Sequence, residues 1–274
     1  MDTAPPVTWH DAFYKFVRVA DVRGTARVLR ELTQHLLGSI VVAGEGINGT
    51  LAGPAAALDR LRSALVDDAR LGGVFAGIRF KRSACSTAPF QRMKVHCKPE
   101  IVQIGLPGID AVGRSGLQLG PLAWRELIAD DDLVLIDNRN SFEYRLGHFR
   151  NAIDPQVRHF RDFPAFIEAR LPQWVAKRKQ VAMYCTGGIR CEKSAAWLHD
   201  RGLPVYQLEG GVLNYFEQMP DAERDWQGEC FVFDNRMALD TRLQEAPTTA
   251  EQVYAGDPAE AWRLRRARQL AFGG

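Results

Sequence analysis

The stretch YCTGGIRCEKSAAWL, residues 184–198, holds the side chains best suited to chemistry. Cys185 ends an apolar run, two glycines follow it, and an arginine precedes a second cysteine, Cys191. The glycines let the backbone curl so that successive N–H groups point at one centre and form an anion-binding nest. A helix starting at Ile189 would add its positive end. The pattern predicts a reactive thiolate at Cys185, although a cysteine in a strand is more often a buried structural residue.

The spacing of the loop narrows the chemistry. Cys185 and Arg190 are separated by four residues, whereas cysteine phosphatases have Cys-x5-Arg, and their extra residue widens the cradle for a phosphate. The shorter loop suits a smaller group on sulfur, such as a persulfide. We expect the residues after the cysteine to shape and polarise its cradle: Thr186, Gly187, Gly188, Ile189 and Arg190.

Three further residues belong to the same predicted site. Cys191 lies six residues after Cys185, so it either resolves a persulfide or sulfenate there as a disulfide or packs against the loop. Asp137 and Arg139 follow the apolar run 133–137 and flank the same edge of the predicted sheet. We expect these two to brace the loop through hydrogen bonds rather than to react.

From Pro121 onwards the sequence pattern changes, and the strands and helices predicted there would position the thiol. Buried strands are predicted over 133–137, 180–185 and 204–211, with helices between them. This alternation predicts βαβ units and a parallel sheet, and ligands of such sheets lie beyond the carboxyl ends of the strands.

The first hundred residues have a different pattern. Strands are predicted over 13–19, 39–53 (two strands around a turn at Asn48-Gly49) and 77–85, and helices over 25–37 and from Pro54. The order βαββαβ predicts a ferredoxin-like domain.

A basic segment spans residues 79–98, with six lysines or arginines and no acidic residue. Together with Phe80 and Phe90 it can contact phosphates and stack an unpaired base. The alternative is a solvated strand edge whose charges prevent aggregation. The candidate tRNA-binding residues are Lys81, Arg82, Arg92, Lys94, Lys98 and Lys193, the last of which alternatively lies on a solvated helix face.

Composition sets broad limits. The 274 residues are 46% hydrophobic and 25% charged, as in globular proteins, and the net charge of +2 does not by itself indicate a nucleic-acid binder. No apolar run approaches the roughly 20 residues that span a bilayer, and the N-terminus does not resemble a signal peptide. Five cysteines without an export signal predict a reduced, cytoplasmic chain.

Several separated motifs resemble the rhodanese domain: DNRNSFEYRLGHFRNAIDP (137–155), the thiol stretch and YQLEGGVLNYF. A narrower resemblance over roughly residues 10–240 adds GEGINGTLAG, FQRMKVHCKPEIVQIG and WQGECFVFDNRMAL. The chain is similar in these segments to the oxygen-dependent tRNA uridine(34) hydroxylase family. Long members continue into a cysteine-rich C-terminal segment, whereas this sequence has no cysteine after Cys230.

The resemblance implies an oxidoreductase that hydroxylates carbon 5 of the wobble uridine in tRNA. It implies molecular oxygen as cosubstrate, the tRNA anticodon loop as partner and the rhodanese cysteine, Cys185, as catalytic residue. The residues indicate no cofactor, no metal site and no membrane partner. The expected domains are a ferredoxin-like domain (1–100), a glycine-rich linker (101–120), a rhodanese-like α/β domain (121–220) and a partly flexible C-terminal extension (221–274).

Other functions stay open at this level. A thiosulfate-type sulfurtransferase would use the same cysteine as a persulfide carrier. A noncatalytic RNA-binding or sulfur-relay adaptor would bind tRNA without chemistry. The short loop makes a phosphatase the weakest alternative.

Overall fold

A computed structural model describes residues 8–113 and 116–271. The described chain folds into two compact units. The first contains the residues up to Ile101 together with Asp234–Arg236, and the second contains the rest. No helix of the described ranges combines the length and the apolar composition that crossing a bilayer requires.

From residue 8 onwards, the first unit has five strands and two α-helices. In chain order they are β1 (Thr8–Phe16), α1 (Val22–Leu32), β2 (Leu37–Ala43), β3 (Gly46–Gly53), α2 (Ala55–Asp67), β4 (Arg79–Cys85) and β5 (Met93–Cys97). The strands form one sheet in the order β4-β1-β3-β2-β5. The first four strands pair antiparallel in the predicted ferredoxin-like order, which is confirmed. β5 was not predicted, and it extends the sheet by pairing parallel to β2.

The helices of the first unit cover one face of its sheet because their apolar residues recur at helical spacing. Leu29 of α1 and Leu58, Leu61 and Leu65 of α2 are buried. They share a hydrophobic core with alternate residues of the strands, among them Ile40 of β2. The alternation of the strands therefore decides which face is covered.

The predicted turn at Asn48-Gly49 is wrong. Both residues lie within β3, opposite Tyr14 and Phe13 of β1, and the connection from β2 is made at residues 44–45. A Cβ at Gly49 would come within 2.5 Å of the Phe13 ring, so this glycine makes room for an aromatic side chain rather than for a turn. Cross-strand packing therefore outweighs the local preference of Asn-Gly for a turn.

The second unit begins with a parallel four-stranded sheet in the order β6-β10-β9-β7. Its elements up to residue 218 are β6 (Leu117–Leu119), α3 (Pro121–Leu127), β7 (Val134–Asp137), α4 (Ser141–Leu146), β8 (Gly147–Phe149), α5 (Phe163–Glu168), α6 (Leu171–Ala176), β9 (Val181–Tyr184), α7 (Ile189–His199), β10 (Tyr206–Leu208) and α8 (Gly211–Gln218). The predicted parallel sheet is confirmed. β6 lies within the segment predicted to be a linker. It is a strand of the sheet, because its backbone pairs with β10.

The remaining elements of the second unit are β11 (Trp226–Gly228), β12 (Cys230–Phe231), β13 (Ala238–Leu239), α9 (Ala250–Tyr254) and α10 (Ala261–Ala271). β11 pairs with β8, so it belongs to the fold rather than to a tail. Phe231, Val253 and Tyr254 form a small core with Phe142 of α4. Apolar residues that follow the predicted α/β domain thus pack onto its surface.

Candidate active site

Cys185 directly follows the carboxyl end of β9, where the sequence predicted a reactive group. All four residues of β9 are buried, and α7 starts four residues after the cysteine. Gly188 has a φ of +103°, a conformation that favours glycine, and it turns the chain from the loop into α7. The loop therefore directs the N-terminal end of an 11-residue helix towards the sulfur.

Hydrogen-bond donors converge on this sulfur. The Gly188 N–H lies 3.1 Å from Cys185 Sγ, and both the thiol and the backbone N–H of Cys191 also donate to it. Burial alone would raise the pKa of the Cys185 thiol, but these donors and the Arg190 charge outweigh it and hold the pKa well below its ordinary value. The pKa of Cys191 is shifted in the opposite direction: burial and the neighbouring Cys185 raise it well above its ordinary value. The two shifts favour ionisation of Cys185 rather than of Cys191.

Both cysteines are only 1% exposed. Their side chains are part of the second unit's hydrophobic core, so burial by itself fits the structural interpretation of Cys185. The immediate partners of the sulfur do not fit it, because a structural cysteine packs against apolar atoms and is not surrounded by donors. The arrangement is a buried sulfur that faces hydrogen-bond donors rather than apolar atoms alone.

The guanidinium of Arg190 does not bind the sulfur directly. It forms two hydrogen bonds with the Glu143 carboxylate, at 2.7 and 2.8 Å, and Glu143 is fully buried. Burial raises the pKa of Glu143, but the Arg190 charge and hydrogen bonds leave it lowered overall. Thr186 Oγ1 lies 3.4 Å from both partners. The ion pair therefore holds α4 against α7 on the side of the loop away from the sulfur. The spacing of residues in the sequence does not reveal this interaction.

Asp137 and Arg139 form a second buried ion pair at the end of β7. Arg139 binds both carboxylate oxygens of Asp137, at 2.6 and 2.8 Å, and also donates to the Gly147 carbonyl. The Tyr184 hydroxyl donates to Asp137 at 2.8 Å, which ties β7 to β9 just before the cysteine. These hydrogen bonds brace the strand that carries Cys185.

The N-terminus of α8 packs directly against the thiol loop. The N–H groups of Val212 and Leu213 donate to the carbonyls of Cys185 and Thr186. A Cβ at Gly211 would lie 2.4 Å from the Cys185 carbonyl oxygen, and its φ is +70°. The sequence prediction included Gly210 and Gly211 in the strand 204–211, whereas the strand ends at Leu208 and Gly211 begins α8.

Lys193 does not belong to a tRNA-binding surface as predicted. It is 1% exposed, and its Nζ donates to the Val102 carbonyl at 3.1 Å. The helical periodicity of α7 turns this position inward, because eight of the 11 residues of α7 are buried. The ammonium group therefore stabilises the start of the second unit rather than meeting solvent or phosphate.

Part of the basic segment is also used inside the first unit. Arg82 binds Asp11 at 2.8 and 3.0 Å and Asp59 at 2.7 Å. The Phe80 ring lies 5.0 Å from that of Phe13, and the Phe90 ring stacks on His10 at 5.9 Å. Arg82 is therefore a structural partner of Asp11, and both aromatic rings have packing partners of their own.

The edge strand β5 and the residues on either side of it carry Arg92, Lys94 and Lys98 of the basic segment, whereas Arg79 and Lys81 lie on β4. Within β5, alternation places Lys94 and His96 on one face, while Met93 and Val95 pack towards the core. Arg92 and Lys98 immediately flank the strand. Partial burial and the charges of Lys98, Lys94 and Arg30 lower the pKa of His96. His96 was not among the predicted residues, although the same alternation marks it.

Metal ligation was not predicted, and within residues 8–113 and 116–271 no three His, Cys, Asp or Glu side chains are grouped to hold an ion.

Two known domain families match the two units. Residues 10–101 match the family described as the UPF0176 acylphosphatase-like domain, and residues 122–218 match the rhodanese-like domain. Among solved structures, a rhodanese-related protein from Thermoplasma volcanium is 22% identical, with 38% of this chain and 93% of that chain covered and a TM-score of 0.29.

Curated relatives match across both units. A tRNA uridine(34) hydroxylase from Nitrobacter winogradskyi is 45% identical over 250 residues, which cover 90% of this chain and 97% of the relative. A tRNA uridine(34) hydroxylase from Synechococcus elongatus is 47% identical over 236 residues, 85% of each chain.

Proposed function

We propose a function from the premise that the chain belongs to the tRNA uridine(34) hydroxylase family: it hydroxylates carbon 5 of the wobble uridine in tRNA. The identity of 45–47% over most of the chain confirms the family predicted from the sequence. The observation that carries the chemistry is the convergence of N–H and S–H donors on Cys185. Molecular oxygen is the cosubstrate, and the cytoplasm is where such a chain meets its tRNA.

Cys185 is the reactive group in this proposal. A thiolate is a far stronger nucleophile and reductant than a thiol, and the cradle holds the ionised form ready without an external base. The two buried ion pairs, Arg190 with Glu143 and Arg139 with Asp137, keep the ends of β7 and β9 and the start of α7 in register. Their role is to position the loop.

The tRNA-binding surface is assigned to the basic face of β5. We place phosphates of the anticodon stem or loop against Arg92, Lys94, His96 and Lys98, because a row of cations at a sheet edge follows a nucleic-acid backbone. Lys81 on the opposite edge strand, β4, is a further candidate. Arg82 and Lys193 are left out, since both are engaged inside the protein.

The test is the Cys185→Ser variant. We expect it to lose 5-hydroxyuridine formation by at least about a thousandfold, as removal of a nucleophile does in other enzymes. The measurement is mass spectrometry of nucleosides from tRNA incubated with the purified protein. Cys97→Ser is the matched control, since Cys97 is an exposed cysteine of the first unit. Normal product from Cys185→Ser would refute the assignment.

Sulfur transfer is the second candidate, favoured by the rhodanese-like match over residues 122–218. It uses the same cradle for a persulfide. Rapid turnover of thiosulfate with a thiol acceptor, together with unmodified tRNA, would select it over hydroxylation.

A further inference from the structure

The two cysteines of the cradle interact, and each shifts the pKa of the other, that of Cys185 downwards and that of Cys191 upwards. Cys191 lies in the first turn of α7, the helix whose N-terminus follows the Cys185 loop. On its other side the Asn138 amide approaches Cys191 Sγ at 4.0 Å and donates to Ser194 Oγ at 2.9 Å. Asn138 thus limits the rotation of the Cys191 side chain, and both cysteines are 1% exposed. A thiolate beside a thiol, enclosed together, is the arrangement of a dithiol that can be oxidised.

Hydroxylation by molecular oxygen requires such a source of electrons. Reduction of one oxygen molecule to a C–OH group and water takes four electrons. Oxidation of the C5–H bond of uridine supplies two of them. The other two must come from a reductant near the reacting atoms, and a pair of thiols that becomes a disulfide supplies that number without leaving a radical.

We propose that Cys185 and Cys191 are this reductant, and that the reaction passes through a disulfide between them. The inference rests on the proposed function and names its source of electrons. In the first step one oxygen atom enters the C5–H bond of uridine, and the other converts the Cys185 thiol into a sulfenic acid. In the second step the Cys191 sulfur attacks the Cys185 sulfur, an S–S bond forms, the S–O bond breaks, and water leaves with the Cys191 proton.

The sum of the two steps balances. Uridine, oxygen and two thiols give hydroxyuridine, water and one disulfide. A further turnover needs two electrons from an external thiol or dithiol protein, which returns both cysteines to the reduced state. Cys230, the third cysteine of the second unit, interacts with the Phe231 carbonyl instead, and burial raises the pKa of its thiol to about 12, so it is the natural control.

The test is a single-turnover experiment with the full chain. The reduced protein is freed of small thiols and mixed with tRNA in oxygenated buffer. We expect one hydroxyuridine per chain, and peptide mass spectrometry should find a bond between Cys185 and Cys191. The Cys191→Ser variant keeps a hydrogen-bond donor beside the thiolate but cannot form the bond. It should give one product per chain and leave a sulfenic acid on Cys185, which a dimedone probe labels.

The outcomes separate this inference from the proposed function. Product from the wild-type protein with all five thiols intact would overturn the dithiol, as would repeated turnover by Cys191→Ser without any added thiol. Cys230→Ala should behave as the wild type. Absence of hydroxyuridine even with excess reductant, or normal product from Cys185→Ser, would instead overturn the proposed function. Circular dichroism of each variant checks that it is folded.

Discussion

At the scale of residues, the site depends on charges that are paired away from water. Glu143 and the Arg190 side chain are 0% and 8% exposed, so neither can exchange its partner for solvent. Removing one member of such a pair leaves a buried charge uncompensated. The protein then loses far more free energy of unfolding than the intact pair contributes in comparison with apolar residues at the same positions. From the sequence, Arg190 was predicted to polarise the surroundings of the Cys185 sulfur. The sequence did not show the partner, because Glu143 is 47 residues away along the chain.

Replacing Glu143 by glutamine should therefore destabilise the second unit. We expect the free energy of unfolding to fall by about 3–5 kcal/mol, the range for a buried pair that loses one charge. Urea denaturation followed by tryptophan fluorescence reports on this unit, since five of the six tryptophans lie at 124, 174, 197, 226 and 262.

The matched control is Glu251→Gln, which neutralises a half-exposed carboxylate paired with Arg268. An exposed pair contributes little to stability, because solvent screens it. Equal losses from the two variants would show that the buried pair has no special role.

At the scale of elements, the sequence pattern predicted the existence of strands and helices better than it predicted their boundaries. Most strands of the two sheets, and the helices that pack on them, were predicted because their apolar residues repeat with a period of two or 3.6. β5 was missed because MKVHC has two inward apolar residues, too few to distinguish a strand from a loop. Lys193 was misplaced because charged residues are expected at the surface, whereas this side chain is buried and its ammonium group donates to the Val102 carbonyl.

The strand β5 supplies a prediction of its own. Each phosphate that a protein no longer neutralises reduces the slope of log affinity against log salt concentration by roughly 1. The double variant Lys94→Gln/Lys98→Gln should therefore bind tRNA more weakly and with a slope smaller by about 2. Fluorescence anisotropy with labelled tRNA at several salt concentrations measures both quantities.

Lys177→Gln controls for the loss of positive charge, because Lys177 is an exposed residue of the second unit. An unchanged slope in the β5 double variant would exclude this strand from the interface.

At the scale of the whole molecule, each of the two units has its own core and its own buried polar cluster. In the first unit His10 is 6% exposed and lies 3.6 Å from Asp234, whose carboxylate binds Arg236 at 2.7 Å. Burial, helped by the Arg236 charge, lowers the pKa of His10 from 6.5 to about 4. The predicted domain scheme did not include this cluster, because Asp234–Arg236 is distant in sequence from the strand it joins.

The His10 cluster makes the first unit sensitive to acid. Between pH 6.5 and about 4 the unfolded chain binds a proton that the folded unit does not, so stability falls as the pH is lowered through this window. The loss amounts to about 3 kcal/mol when complete. Hydrogen exchange of the β1 amides at several pH values measures it. His10→Gln should flatten this dependence, whereas His35→Gln, at an exposed position, should leave it intact; equal curves for wild type and His10→Gln would contradict the assignment.

The enclosure of Cys185 has a practical consequence for how its reactivity is detected. Cys97, on the surface, meets any alkylating reagent first, whereas the ionised sulfur at residue 185 is shielded from bulky ones. A proteome-wide labelling survey with large maleimides would rank these two cysteines in the reverse of their chemical importance. Only compact electrophiles, or labelling during turnover with substrate present, would reveal the one that matters.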